Sequence, residues 1–170
     1  MNIPGTDSIK SISGHELKWV DSFKYLGSQI PDSFHDFKVR KAMAWDACNK
    51  LERLWTSSLE TKLKLRTFRT CVESILLYGS ETWTISAKMK SRIDGCYTRL
   101  LRRALNVSWR DHMTNVQLYG DLPKLSSTIR QRRMRFAGHC SRAPDQPANN
   151  LLFWSPRVIR TGHRGHFKTF

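Results

Sequence analysis

Catalytic motifs are what this sequence most clearly lacks. Two adjacent aspartates occur nowhere, and the G-x-S-x-G, P-loop and H-E-x-x-H patterns are also absent. Such motifs supply the nucleophiles, phosphate cradles and metal ligands of common enzymes. Asp111 and His112 are adjacent and Ser108 is near, but turn chemistry between helices explains this cluster better than a catalytic triad does. We therefore expect no catalytic residue, no cofactor and no metal, so that the chain alone is not an enzyme.

Cysteine is also scarce, and its spacing contains no C-x-x-C pair. The four cysteines are Cys48, Cys71, Cys96 and Cys140. The first three fall at apolar positions of helical patterns, which predicts small buried side chains in a reducing compartment. A zinc site built from His139, Cys140, His163 and His166 would not have the spacing of a zinc knuckle, so we do not expect one.

Long apolar runs are missing too. No stretch approaches the roughly 20 apolar residues that a membrane-spanning helix needs, and the first ten residues lack the basic and apolar regions of a secretory signal. We therefore expect an intracellular protein that does not enter a membrane. The run RQRRMR at 130–135 resembles a nuclear localisation cluster, which leaves nuclear entry open.

Acidic residues are few, above all near the C-terminus. The 170 residues include 29 Lys and Arg against 14 Asp and Glu, giving a formal net charge of +15. Residues 128–170 contain nine basic residues and a single acid, Asp145. Such an excess disfavours the compact state through self-repulsion unless a polyanion offsets it. Nucleic acid is the commonest such partner, and an acidic membrane surface is the alternative.

The hydrophobic pattern predicts a mainly α protein with a small N-terminal β-hairpin. Short β-type stretches occupy residues 1–31, and Gly27 reads there as a bulge or a site of close backbone approach. Helical periodicity follows at 32–55, 60–78, 87–105, 114–119 and 126–142. The third of these helices is expected to start after Ser86, Thr114 is a candidate cap for the fourth, and Gly79 is expected just beyond the end of the second. We predict three segments: the hairpin at 1–31, a three-helix bundle at 32–111, and a basic helical segment with an irregular tail at 112–170.

Inward-facing residues can be assigned from the same periodicity. Leu76 and Ile93 are predicted to lie in the bundle core, and Phe136 on the thin apolar stripe of the last helix. Trp83 and Trp109 follow the second and third helices and are expected to close the ends of the bundle.

Basic side chains recur at helical spacing on three of the predicted helices. The candidate residues are Lys62, Arg66, Arg69, Arg92, Arg99, Arg102, Arg103, Arg130, Arg132, Arg133 and Arg135. Guanidinium groups bind phosphate oxygens in a bidentate way, so such rows suit a nucleic-acid backbone. An ordinary solvated helix surface is the competing interpretation.

Three segments resemble one protein family. They are KLKLRTFRTCVESILLYGSETW at 62–83, LRRALNVSWRDHMTN at 101–115 and RRMRFAGHCSR at 132–142. They are similar to the region that follows the polymerase core in reverse transcriptases of non-LTR (LINE-type) retrotransposons. In addition, WVDSFKYLGSQI at 19–30 resembles the primer grip of that family, and KVRKAMAWDACNKLERLWTSSL at 38–59 resembles its first thumb helix. The primer-grip match is carried by Phe23, Tyr25, Leu26 and Gly27.

The resemblance implies a thumb-like bundle that grips template and primer through their backbone without sequence specificity. It also implies that the catalytic aspartates belong to a palm N-terminal to this region. The expected partners are therefore nucleic acid, as RNA, DNA or hybrid, and the palm and fingers of a parent RNA-directed DNA polymerase. Two alternatives stay open: a domesticated nucleic-acid-binding protein, and a helical protein-interaction module or inert fragment.

Overall fold

The computed structural model describes residues 11–16, 20, 22–30 and 32–154. Within them the chain is mainly α, with a two-stranded antiparallel hairpin near the N-terminus, as predicted. The chain divides into two compact units, residues 1–130 and 131–170. The predicted three-segment division stays a prediction. Among the helices of these residues, none is long and apolar enough to cross a bilayer.

The hairpin pairs β1 (Phe23–Tyr25) with β2 (Ser28–Ile30). Leu26 and Gly27 form the two-residue turn, with φ of 47° and 89°. Two positive φ values are typical of a type I′ turn, in which glycine avoids the strain that a side chain causes. Gly27 is therefore the turn between the strands and does not interrupt one of them as a bulge. The predicted close backbone approach is confirmed, because a Cβ there would lie 3.3 Å from the Tyr78 ring.

The first predicted helix is divided in the structure. Helix α1 (Ser33–Lys50) begins where the Asp32 side chain accepts a hydrogen bond from the backbone N–H of Phe34. It ends at Lys50, and α2 (Glu52–Thr56) begins after Leu51. Because the Trp55 indole N–H donates to the Cys48 carbonyl at 2.7 Å, a side chain occupies the place of a helical hydrogen bond at this break. The prediction of one uninterrupted helix to Trp55 was wrong.

The second predicted helix is continuous but contains one widened turn. Helix α3 (Thr61–Phe68) passes into a π-helical turn (Arg69–Glu73) and then into α4 (Ser74–Leu77). Gly79 follows with φ of 68°, which confirms its predicted place just beyond the helix end.

Two capped helices follow. Helix α5 (Ala87–Ala104) begins with Ser86, whose hydroxyl accepts from the Met89 N–H. Helix α6 (Asn115–Tyr119) begins with a capping box between Thr114 and Gln117, so the predicted Thr114 cap is confirmed.

The last described helices are α7 (Leu125–Ser141) and α8 (Pro147–Leu152). Helix α8 corrects the expectation of irregular chain after residue 142, since Pro147 at its first turn favours helix initiation. The remainder of the predicted tail lies outside the described residues, as do Trp19 and the zinc candidates His163 and His166.

The core of the first unit lies between α1, the α3–α4 segment and α5. Leu76, Ile93 and Leu100 are fully buried there, as the periodicity predicted. Cys48, Cys96 and Cys140 are buried but Cys71 is exposed, so the prediction of buried cysteines fails at Cys71.

Two aromatic predictions also need correction. Trp83 is buried and packs on Phe37, as expected for an end of the bundle. Trp109, however, is 78% exposed and does not close the other end. Phe136 is 55% exposed, so it does not lie on a buried stripe. Helical periodicity predicts which face of a helix a residue lies on. It does not show whether another element packs against that face.

Candidate nucleic-acid interface

A basic concave surface of the first unit is the groove between α1 and α5, which we call the α1–α5 groove. It has a volume of about 520 Å³. Its lining consists of Phe34, Phe37, Lys38, Lys41, Trp45, Ser91, Arg92, Gly95, Cys96 and Arg99. Four of these residues are cations, and none of these lining residues is acidic. The groove therefore joins two basic rows from separate helices into one positive surface.

Helical spacing explains why these cations face each other. Lys38 and Lys41 are three residues apart on α1, and Arg92 and Arg99 are seven residues apart on α5, so each pair shares one face of its helix. The packing of α1 against α5 then brings the two faces together. The structure thus unites two sequence-predicted residues, Arg92 and Arg99, with two lysines that sequence reasoning missed. The signal for those lysines was the K-x-x-K spacing at 38–41.

One aromatic ring contacts two of the groove's cations. The Lys38 ammonium lies 4.8 Å from the centroid of the Phe34 ring, and the Arg92 guanidinium lies 4.7 Å from it. Such contacts contribute about 0.5–1 kcal/mol at exposed sites, so they orient long side chains without neutralising them. Both cations keep their charge available to a ligand.

The inner wall of the groove contains a buried thiol. Burial raises the pKa of the Cys96 thiol above its ordinary value, while Lys41 and Arg99 act in the opposite direction. Cys96 is consequently neutral at physiological pH and contributes no negative charge to the groove. The groove's electrostatic character comes from its four cations alone.

The basic residues predicted on the second helix, which lie in α3 and the π-helical turn after it, come together in a second groove. Lys62, Arg66 and Arg69 all line it, together with Leu63 and Leu122. This groove also includes the carboxylate of Glu60, and the Arg69 Nε lies 3.9 Å from the buried Glu73 Oε2. Part of its positive charge is therefore offset within the fold, and it is a weaker candidate than the α1–α5 groove.

Two other predicted residues of α5 make contacts inside the protein. The Arg102 Nη2 donates to the Met113 carbonyl at 2.7 Å and to Asn115 Oδ1 at 3.0 Å. The Arg103 Nη2 donates to Glu52 Oε1 at 3.1 Å. These contacts hold the segment after α5 and join α5 to α2. Their structural roles were not visible in the sequence, and their assignment to phosphate binding stays a prediction.

The basic row of α7 is exposed. Arg130, Arg132, Arg133 and Arg135 all have high solvent exposure, and their pattern on one helix is as the sequence predicted. Arg132 also has an interaction within the protein. The row's role in binding stays a prediction.

The N-terminal hairpin is attached to the bundle by a buried polar cluster. Asp36 accepts from the Gln29 backbone N–H at 2.9 Å and from the Trp83 indole N–H at 2.8 Å. The Arg40 Nη2 donates to the Gly27 carbonyl, and its guanidinium stacks on the Tyr78 ring at 4.1 Å. Both charged residues are almost fully buried. The hairpin therefore packs against α1 and Tyr78, the residue that follows α4.

The outer side of the hairpin is apolar and exposed. Phe23, Tyr25 and Leu26 are 50%, 58% and 77% exposed, and the first two rings meet edge to face at 6.5 Å. The Tyr78 hydroxyl donates to the Leu26 carbonyl at 2.5 Å, so the tip has a fixed position relative to α4. Three of the four predicted primer-grip-like side chains are thus presented outward on an anchored turn.

Comparison with known proteins gives one informative similarity. A Caenorhabditis elegans protein described as an uncharacterized transposon-derived protein, F52C9.6, is 26% identical over 151 residues. The matched region is 83% of this chain and 54% of that relative, so the chain spans about half the relative's length. No family model matches the chain, and no solved structure matches it. The similarity is consistent with a transposon-related origin, while the LINE family rests on the sequence resemblance.

Proposed function

We propose that this chain binds the backbone of nucleic acid without sequence specificity, as the thumb-like part of a LINE-type reverse transcriptase. The observation that carries the proposal is the α1–α5 groove, in which Lys38, Lys41, Arg92 and Arg99 converge without an acidic neighbour in the lining. Similarity to a transposon-derived protein supports the same origin. The palm and fingers of such a polymerase would be the partners of this region.

Electrostatics favours a polyanion over a small anion at this groove. Four like charges held along two packed helices repel one another, and the chain's formal net charge of +15 adds to that cost. A string of phosphates satisfies all four cations at once and releases condensed counterions. The guanidinium groups of the two arginines can each donate two parallel hydrogen bonds to the oxygens of one phosphate.

The anchored hairpin supports the thumb and primer-grip assignment. In the polymerase that we propose, the hairpin would press on the primer terminus while the bundle holds the duplex. This requires the hairpin and the bundle to move together. The cluster of Asp36, Arg40 and Trp83 provides that connection.

The chain is proposed to have no polymerase activity of its own. Phosphoryl transfer of this kind requires carboxylates that bind metal ions, and the adjacent aspartates of the family are absent from the sequence. We expect a clean preparation to extend no primer in the presence of Mg²⁺. Template-dependent extension that disappears on chelation would contradict this assignment.

Replacement of the groove's cations tests the binding proposal. The groove variant changes Lys38, Lys41, Arg92 and Arg99 to Gln. We expect its affinity for a primer–template duplex to fall. The plot of the logarithm of the association constant against the logarithm of salt concentration should lose about three units of slope, because each phosphate contact contributes about 0.7–0.9. Filter binding at a series of salt concentrations measures both quantities.

A matched control separates local contacts from net charge. The control variant changes four exposed cations elsewhere in the first unit, Lys24, Arg53, Lys90 and Lys124, to Gln. It has the same net charge as the groove variant, so we expect it to bind more tightly than that variant. Equal losses in both variants would show that the total charge, and not the groove, determines binding. Unchanged binding in both would mean that the phosphate contacts lie elsewhere, as on the exposed basic row of α7. Absence of wild-type binding would favour a protein-interaction module instead.

A further inference from the structure

Trp109 occupies an unusual position for a large aromatic residue. It belongs to a 3₁₀ turn (Trp109–Asp111) between α5 and α6, and its side chain is 78% exposed. Among the described residues, its ring meets the guanidinium of Arg110, whose Cζ is 5.5 Å from the ring centroid. An indole in this position contributes little to the core, so its exposure needs another explanation.

The backbone on both sides of Trp109 is firmly held. The Val107 N–H donates to the Arg102 carbonyl at 2.8 Å, and the Ser108 N–H donates to Asp111 Oδ2 at 2.6 Å. On the far side, the Arg102 guanidinium holds the Met113 carbonyl at 2.7 Å. None of these hydrogen bonds involves the indole. The loop is therefore ordered by its polar groups while the ring is directed to solvent.

The same loop includes two residues in the left-handed region of the backbone. Asn106 and His112 have φ of 55° and 48°, a conformation that Asn and His adopt more readily than most residues with a side chain. The turn between these two residues therefore has a hydrogen-bonded backbone and presents the indole to solvent. Rigid aromatic side chains bind with a small loss of conformational entropy, which makes them effective contact residues.

We propose that Trp109, with Arg110, forms a stacking platform for one unpaired nucleobase. An indole face stacks on any base and requires no particular sequence, and the Arg110 guanidinium beside it can contact the adjoining phosphate. The flanking side chains, Ser108, Arg110 and His112, are polar or basic. Protein interfaces need about 800 Å² of surface per partner with an apolar centre, which these neighbours do not provide.

This inference rests on the proposed function and adds a preference for single-stranded or frayed nucleic acid. It is tested with two oligonucleotides of equal length, one of thymidines and one in which every base is missing. Both present the same number of phosphates, so only stacking distinguishes them. The full chain and its Trp109→Ala variant are titrated with each, and Val116→Ala serves as the control because Val116 is also exposed, at 83%.

We expect Trp109→Ala to weaken binding of the thymidine strand by about 5-fold to 150-fold, the loss that corresponds to one stacked base. Binding of the abasic strand and the salt slope should not change, and Trp109→Phe should recover part of the loss. The melting temperature should also stay the same, because the indole is exposed.

Three results would overturn the inference, and they differ in what else they affect. Equal weakening on both strands would mean that Trp109 acts through loop structure. If the wild-type chain binds both strands and Trp109→Ala has no effect, the stacking platform is rejected. The proposal that the α1–α5 groove binds phosphates would be unaffected. Failure of the wild-type chain to bind either strand or a primer–template duplex would reject the proposed function together with the platform.

Discussion

Replacing Asp36 with Ala should destabilise the fold far more than replacing Asp46, although both carboxylates belong to i, i+4 ion pairs on α1. Asp36 is 1% exposed, and its oxygens accept hydrogen bonds from the Gln29 N–H and the Trp83 indole N–H. Asp36 also lies 3.9 Å from the buried Arg40 Nε, which has no hydrogen-bond partner. Asp46 pairs with Lys50 at 2.7 Å, and the two side chains are 63% and 73% exposed.

The magnitude follows from these surroundings. Each of the two hydrogen bonds to a carboxylate is worth about 1.5–3 kcal/mol, and removing one partner of a buried ion pair costs about 3–5 kcal/mol because it leaves the other charge unpaired. These losses overlap, so we expect Asp36→Ala to lower the free energy of unfolding by about 3–5 kcal/mol. Asp46→Ala should cost about 0.3–0.5 kcal/mol, the value of an exposed helix pair.

Urea denaturation of the two variants and the wild-type protein measures the difference. Native-state hydrogen exchange adds a local readout, because the Gln29 amide loses its acceptor only in Asp36→Ala. Similar losses of stability in Asp36→Ala and Asp46→Ala would refute the conclusion that the buried cluster attaches the hairpin.

Three further outcomes are expected. Leu76→Ala removes a fully buried side chain from the core and should cost about 2–5 kcal/mol in urea unfolding; a loss under 1 kcal/mol would mean that α4 packs loosely. Burial and the neighbouring Glu73 raise the pKa of Tyr97 well above its ordinary value, so the neutral phenol stabilises the folded state. That stability is fully present below the ordinary tyrosine pKa of about 10 and declines as pH rises above it; Tyr97→Phe should reduce the decline between about pH 10 and 11, and an unchanged pH profile would contradict the assignment. In Gly95→Ala the new Cβ meets no atom within 4 Å, so helix propensity should raise stability by about 0.5–1 kcal/mol. The methyl group narrows the α1–α5 groove, so nucleic-acid affinity should fall; stability and affinity that rise together would argue against a ligand at Gly95.

The features that the sequence predicted are local ones. Ser86 and Thr114 begin helices because their hydroxyls accept backbone hydrogen bonds within the next turn, and Gly79 follows a helix end because it adopts a positive φ. Such signals depend on a few adjacent residues. The buried faces of α4 and α5 were equally clear, since large apolar residues recur there at helical spacing.

The features that the sequence did not predict depend on tertiary packing, that is, on which helices lie against each other in the fold. Lys38 and Lys41 look like solvated α1 residues until α5 places Arg92 and Arg99 opposite them. Asp36 resembles any first-turn acid of a helix, and its burial depends on Trp83, 47 residues away in sequence.

Trp109 is a residue for which the sequence predicted burial and the structure shows exposure. A tryptophan just after a helix favours a core assignment on hydrophobicity alone, because burial of an indole is strongly stabilising. The loop conformation set by Asn106, Ser108 and His112 instead directs the side chain outward. A hydrophobicity pattern has no information about that backbone geometry.

The salt dependence of nucleic-acid binding tests the central claim most directly. The full wild-type chain is titrated with a primer–template duplex by filter binding at 50 mM and 200 mM salt. If four groove cations neutralise phosphates, the logarithm of the association constant should fall with the logarithm of salt concentration with a slope of at least about 3, regardless of the duplex sequence. An affinity that stays the same at both salt concentrations, or that depends on the base sequence, would contradict the account.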